Sequence, residues 1–222
     1  MAETFDLSRK VVAEGLGTGL LVAAVVGSGI MASALTGDTA LALLANTLAT
    51  GAALVVLITL FGPISGAHFN PAVSLVMALR RDLPWNIFGF YVIAQIAGGI
   101  LGTFAAHLMF DLPLFQVSEK IRSGGAQWFS EAVAAFGLLL TILLGLRFAR
   151  ANIPWLVGLY IVAAYWFTAS TSFANPAVAI ARSLTNTFAG IRPADLPGFI
   201  AAETVGAVLA MALCGWLLRL RA

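Results

Sequence analysis

Asn70-Pro71-Ala72 and Asn175-Pro176-Ala177 are the same tripeptide, 105 positions apart, each in strongly apolar surroundings. Asn is a strong helix N-cap, and Pro suits the first helical position because its missing N–H is one of the unpaired donors there anyway. The spacing predicts half-helices over about 71–80 and about 176–187, with Ala72 and Ala177 small enough to let two loop tips touch. Each helix start directs a positive dipole end, about half an elementary charge, at its surroundings. Two such ends facing each other repel cations. Each Asn amide can also donate to a passing water or hydroxyl oxygen, turning that water so that it does not relay a proton.

Other polar residues are few. Glu14 and Glu131 are ionisable groups inside apolar segments, where such groups are candidates for function. Gln95 and Glu203 read as polar glue between helices. His68, two residues before Asn70, is a candidate hydrogen-bonder along a passage. His107 is expected at the membrane interface and Cys214 in the core. The histidines are only two and no His-Glu-x-x-His or paired-aspartate motif occurs, which argues against an intramembrane enzyme. The one cysteine fits neither a disulfide nor a metal spacing, so no cofactor or metal is expected.

The elements that hold these residues must lie in a bilayer. Of 222 residues, 60% are hydrophobic and 10% charged, where soluble domains carry about 25% charged residues. Mean hydropathy is +0.97. A span needs about 20 apolar residues. Six segments qualify: about 11–33, 40–61, 85–109, 128–148, 153–173 and 197–218. Two shorter apolar stretches, about 62–79 and 174–191, run through the Asn-Pro-Ala copies and read as re-entrant loops, tolerated only where protein or a cavity surrounds them. No cleavable signal is expected ahead of Arg9 and Lys10. The net charge of +2 carries no nucleic-acid signal.

Placing both termini in the cytoplasm puts eight of the twelve basic residues there: Arg9, Lys10, Arg80, Arg81, Arg147, Arg150, Arg219 and Arg221. Trp85, Trp128, Trp155 and Trp216 fall near span ends, as interfacial anchors do. The polar stretch 110–126 is the natural midpoint of one channel-like domain, 1–222, with repeats over about 8–110 and 126–220. Ala94-Gln95-Ile96-Ala97-Gly98 matches Ala202-Glu203-Thr204-Val205-Gly206. Three spans per half, an odd number, predict an inverted repeat whose loops enter from opposite faces. The fold class is thus an all-α membrane protein with six spans and two re-entrant half-helices.

Ala13-Glu14-Gly15-Leu16-Gly17-Thr18, Ile64-Ser65-Gly66-Ala67-His68-Phe69-Asn70-Pro71-Ala72-Val73 and Tyr91-Val92-Ile93-Ala94-Gln95 resemble the aquaporin family, the major intrinsic proteins. The resemblance covers almost the whole chain. It implies a pore in each subunit, a homotetramer, and Glu14 and Glu131 as acceptors supporting the loops. It also exposes a departure. The Arg that follows the second motif in the family is Val178 here, and the Arg-Asp pair of glycerol channels is Val178-Ala179. Counted by family spacing, the other constriction positions are Thr50, Ala163 and Ser172. The expected constriction is wide, uncharged and half apolar. Arg182, four residues after Val178, lies on the same helix face, about 6 Å further out, as a vestibule or structural residue. The expected function is a passive channel for water and small neutral solutes such as polyols, urea or neutral metalloid acids. Arsenic efflux or strict water conduction are the alternatives, and a secondary transporter a remote one. The expected home is a bacterial inner membrane.

Overall fold

The computed structural model describes residues 5–219, and every regular element in them is helical. Helices α1 (Leu7–Leu35), α2 (Thr39–Ser65), α3 (Pro71–Leu79) and α4 (Trp85–Met109) form the first half. Helices α5 (Gly125–Phe148), α6 (Ile153–Phe167), α7 (Pro176–Arg182) and α8 (Leu196–Leu217) form the second, with short 3-10 turns leading into α6 and α8. Asp6 caps α1 by accepting from the Arg9 amide, and Asp38 caps α2 by accepting from those of Ala40 and Leu41. Five helices are long and apolar enough to cross a membrane. Helix α6, at 15 residues, is shorter than the expected 153–173 segment because the chain leaves the helix at Thr168 and turns toward the second loop. Helix α2 outlasts its expected end, continuing through Pro63 to Ser65 and stopping at Gly66, whose φ of 91° is left-handed. The second half-helix stops at Arg182, short of the expected 187.

The two halves pack alike, α1 on α4 and α5 on α8. Small residues set both crossings. A Cβ on Gly98 would lie 2.1 Å from the Gly15 carbonyl oxygen, and one on Gly206 2.1 Å from that of Ala132. Such near contact of backbones is how membrane helices gain packing without a hydrophobic driving force between them. Large apolar side chains such as Leu16, Leu48, Ile93, Leu101 and Phe129 stay exposed on the outside, the pattern of a surface that meets lipid. Helices α3 and α7 sit inside this frame, with α3 against α4 and α8, and α7 against α4, α8 and α1.

Candidate functional site

The two loops are built by one local recipe. Three residues and one residue before each Asn, the backbone is left-handed: Ala67 and Phe69 in the first loop, Ser172 and Ala174 in the second. None is a glycine, and each such residue costs on the order of 1–3 kcal/mol unless its surroundings hold it. The buried carboxylates supply that hold. Glu14 accepts from the Ser65 hydroxyl (2.6 Å), the His68 amide (2.9 Å) and the Phe69 amide (2.7 Å). Glu131 accepts from the amides of Phe173 (2.9 Å) and Ala174 (2.7 Å).

The loop tips are then locked to each other. The Asn70 amide nitrogen donates to the Ala174 carbonyl (2.7 Å), and that of Asn175 to the Phe69 carbonyl (2.8 Å). Each side-chain oxygen caps its own half-helix, Asn70 accepting from the Ala72 amide and Asn175 from those of Ala177 and Val178. One N–H of each Asn is therefore spent on the facing loop, and one remains. Ala72 and Ala177 are fully covered where the tips meet.

Around this junction lies one cavity of about 560 Å³. Arg80, Asp82 and Arg150 line one end, with an Arg80–Asp82 ion pair of 2.9 Å. His68, Asn70 and Asn175 line the middle. His68 Nδ1 shares a hydrogen bond with the Ser74 hydroxyl (3.0 Å), and its ring stands edge-on to Tyr91. An apolar wall repeats between the halves: Leu21 and Val25 from α1, Leu138 and Ile142 from α5.

Of the positions counted by family spacing, Thr50, Ser172 and Val178 line the cavity. Ala163 does not. It is exposed on the outer side of α6, while Tyr165, two residues on, faces inward and brings its hydroxyl within 3.3 Å of Thr50 Oγ1. Between α6 and the second loop the chain turns back, the Thr171 amide donating to the Thr168 carbonyl. The inward residues Val157, Ile161 and Tyr165 recur every fourth position, a stripe visible in the sequence that points to Tyr165.

The end lined by Val178 is also not uncharged. Arg182 lines the cavity and is 2% exposed. Its Nε donates to the Ala189 carbonyl and its guanidinium lies over the Phe173 ring, 3.4 Å from the centroid. Nη1 of Arg182 and the Ser172 hydroxyl are buried with no partner among the described residues. Arg122, in sequence only a basic residue of the polar midpoint loop, lies over the Phe173 ring at 4.9 Å and donates to the carbonyls of Gly190 and Ser170, 2.9 Å each. Lys120, in the same outer loop, donates to the Phe188 carbonyl (2.7 Å), and burial, with Arg122 and Arg182 nearby, pulls its ammonium down to about 8. His107 is not interfacial. It is fully buried and ties that loop down through the Leu114 carbonyl and the Thr185 hydroxyl.

Residues 1–150, over half of the chain, match the family described as "Major intrinsic protein". The chain belongs to the major intrinsic protein family. Among its relatives, Aquaglyceroporin AqpS of Rhizobium meliloti (strain 1021) is 70% identical over 217 residues, 98% of this chain and 93% of that protein. The Glycerol uptake facilitator protein of Streptococcus pneumoniae (strain ATCC BAA-255 / R6) is 34% identical over 120 residues, 48% of this chain and 51% of that one. The fold matches the X-ray structure of the aquaglyceroporin from Plasmodium falciparum with a TM-score of 0.72 at 22% identity, covering 94% of this chain and 95% of that one. This member of the family is therefore an integral membrane protein, all-helical across the described residues, with Arg182 one helical turn beyond Val178.

Proposed function

We propose that this protein is a passive channel for water and small uncharged solutes, with glycerol-sized polyols as the reference substrate and urea or neutral metalloid acids within its range. The observation that carries the reading is the meeting of two Asn-capped helix starts inside one continuous cavity. The free N–H of each Asn offers a solute oxygen a donor, while the two positive dipole ends disfavour protons and other cations at the same point. No catalytic step is assigned to any residue. The kinship to proteins called aquaglyceroporins and a glycerol facilitator supports a solute larger than water.

At the end lined by Val178, passage would be selected by Thr50, Tyr165, Ser172 and Arg182. Val178 supplies an apolar wall for carbon-bound hydrogens. Arg182 Nη1 and the Ser172 hydroxyl supply hydrogen bonds to hydroxyl oxygens without carrying a solute-specific shape. The Arg80 and Arg150 end is read as cytoplasmic, the home as a bacterial inner membrane, and the assembly as a homotetramer with one passage per subunit.

Stopped-flow light scattering on proteoliposomes tests the reading. A sucrose step should cause fast shrinkage, and a glycerol step fast shrinkage followed by rapid re-swelling. Fast shrinkage with glycerol held out would make it a water channel. Saturable, gradient-coupled flux would make it a transporter.

A further inference from the structure

The two repeats support their loops with different side chains at the same place. In the first, Gln95 stands three residues before Gly98, and its amide nitrogen donates to Glu14 (2.8 Å) and to the Ser74 hydroxyl (2.9 Å). In the second, the residue three before Gly206 is Glu203. Its Oε1 accepts from the Asn175 amide (3.0 Å), the next amide in the chain after that of Ala174, which Glu131 holds. Both glutamates are completely buried. Glu203 Oε2 has no partner that can donate to it among the described residues.

Each oxygen of Glu131 already accepts a backbone N–H, from Phe173 and from Ala174. A second bare carboxylate alongside would set two like charges together out of water, an arrangement that strongly disfavours double ionisation. Among charged groups near Glu203, α5 contributes Glu131 and α7 contributes Arg182. Helix α3 carries no titratable side chain. Asp195, ahead of α8, is engaged by Arg192 and by the Arg122 amide. Arg182 makes its hydrogen bond to Ala189 and stacks on Phe173, and it makes no hydrogen bond to Glu203.

We propose that Glu203 is a neutral carboxylic acid in the folded protein, donating its proton to Glu131 as the counterpart of the Gln95 amide, and that this shared proton positions the second re-entrant loop. The proton comes from water as the site forms, and no bond other than the O–H is made. The pair then holds three successive backbone amides, those of Phe173, Ala174 and Asn175. An acid-to-carboxylate hydrogen bond is among the strongest available in a dry site. In the first loop the partner of the glutamate is the Gln95 amide, which has no proton to lose. In the second, removing the proton leaves two facing negative charges under the loop that carries Asn175 and Val178. Glu203 is thus a positioning residue, and conduction should fall when the pair loses its proton.

Infrared spectroscopy of the purified protein in lipid tests the protonation directly, whatever solute the channel carries. The wild type should show the carbonyl stretch of a protonated carboxyl at neutral pH, shifted on transfer to heavy water, and that band should vanish only at strongly alkaline pH. Glu203→Gln should lack the band. A neutral-pH spectrum of the wild type without it overturns the proposal, and this reading needs no variant. Glycerol flux tests the positioning role. Glu203→Gln, whose amide can donate as Gln95 does, should conduct at neutral pH but without the alkaline fall of the wild type, and Glu203→Leu should lose conduction. Because Lys120 titrates in the alkaline range in both proteins, only the difference between wild type and Glu203→Gln reports the pair. Identical alkaline profiles overturn the positioning role.

Discussion

At the scale of single residues, Val178 and Arg182 both line the end of the cavity proposed to select solutes. A guanidinium introduced at Val178 would bring a second fork of donors and a second positive charge beside Arg182. Val178→Arg should cut glycerol flux by about tenfold, the change produced by roughly 1.4 kcal/mol of added barrier, while water flux changes less. Glycerol flux unchanged in that variant would place Val178 outside the constriction. Arg182→Ala should widen passage for larger polyols, read as faster re-swelling in an erythritol step. A folded Arg182→Ala with unaltered permeability would remove Arg182 from selection. The loop glutamates act on stability instead. Glu14→Ala strips acceptors from the Ser65 hydroxyl, the His68 and Phe69 amides and the Gln95 amide. Each donor left unpaired in a buried site costs about 1–3 kcal/mol, so the melting temperature in detergent should drop steeply.

At the scale of elements, two helix crossings carry the architecture. They rest on glycines because the neighbouring backbone stands where a Cβ would go. Gly98→Ala and Gly206→Ala should each reduce the yield of folded protein on size-exclusion chromatography, because the obstructing atoms, the carbonyl oxygens of Gly15 and Ala132, belong to backbone that cannot swing aside. Gly215→Ala, with nothing within 4 Å of the added carbon, is the control and should be neutral or slightly stabilising. Equal loss in all three variants would contradict the role of the crossings. The half-helices are short, 9 and 7 residues, and too brief to be stable alone. They persist because their caps, their carboxylate clamps and their contacts with α4 and α8 are all supplied by the surrounding frame.

At the scale of the whole molecule, the outer loop over Lys120 and Arg122 is fastened to the second half by backbone and ring contacts. The Lys120 ammonium, drawn over the Phe188 ring, sits at about 8 against an ordinary value of 10.5, first through burial and then through Arg122 and Arg182. Between those two values the unfolded chain keeps a proton that the folded chain has shed. Stability therefore rises with pH across that window. The side chain is exposed by area, so solvent screens the effect and the gain should be small. Thermal denaturation of wild type and Lys120→Met from neutral pH to about pH 10 checks it: the difference between the two should shift in favour of the wild type as pH rises, and a constant difference would refute it. For the assembly, native mass spectrometry in mild detergent should give four copies of the chain. A monomer under conditions that preserve conduction would refute the proposed tetramer.

The sequence by itself determined the apolar frame, the matching polar positions of the two halves and both helix starts, while the family resemblance pointed to Glu14 and Glu131 as loop supports. Each of these depends on local chemistry or on a repeated pattern: an Asn-Pro cap is a property of three residues, and the Gly98 and Gly206 crossings recur at matching places. Tertiary structure alone decided what a side chain faces once a helix ends early or a loop folds back. Ala163 faces outward and Tyr165 inward because they stand on opposite sides of α6, and packing buried the Val157–Ile161–Tyr165 stripe. Arg182 entered the cavity because Ala189, seven residues on, returns its carbonyl to the guanidinium. His107 and Arg122 became buried anchors through partners 78 and 68 positions away. The consequence of Glu203 standing where the first half has Gln95 likewise depends on the fold, which brings it and Glu131 onto successive amides of one loop. Contacts across such separations depend on where elements end, and helix ends are set by packing as much as by the residues at them.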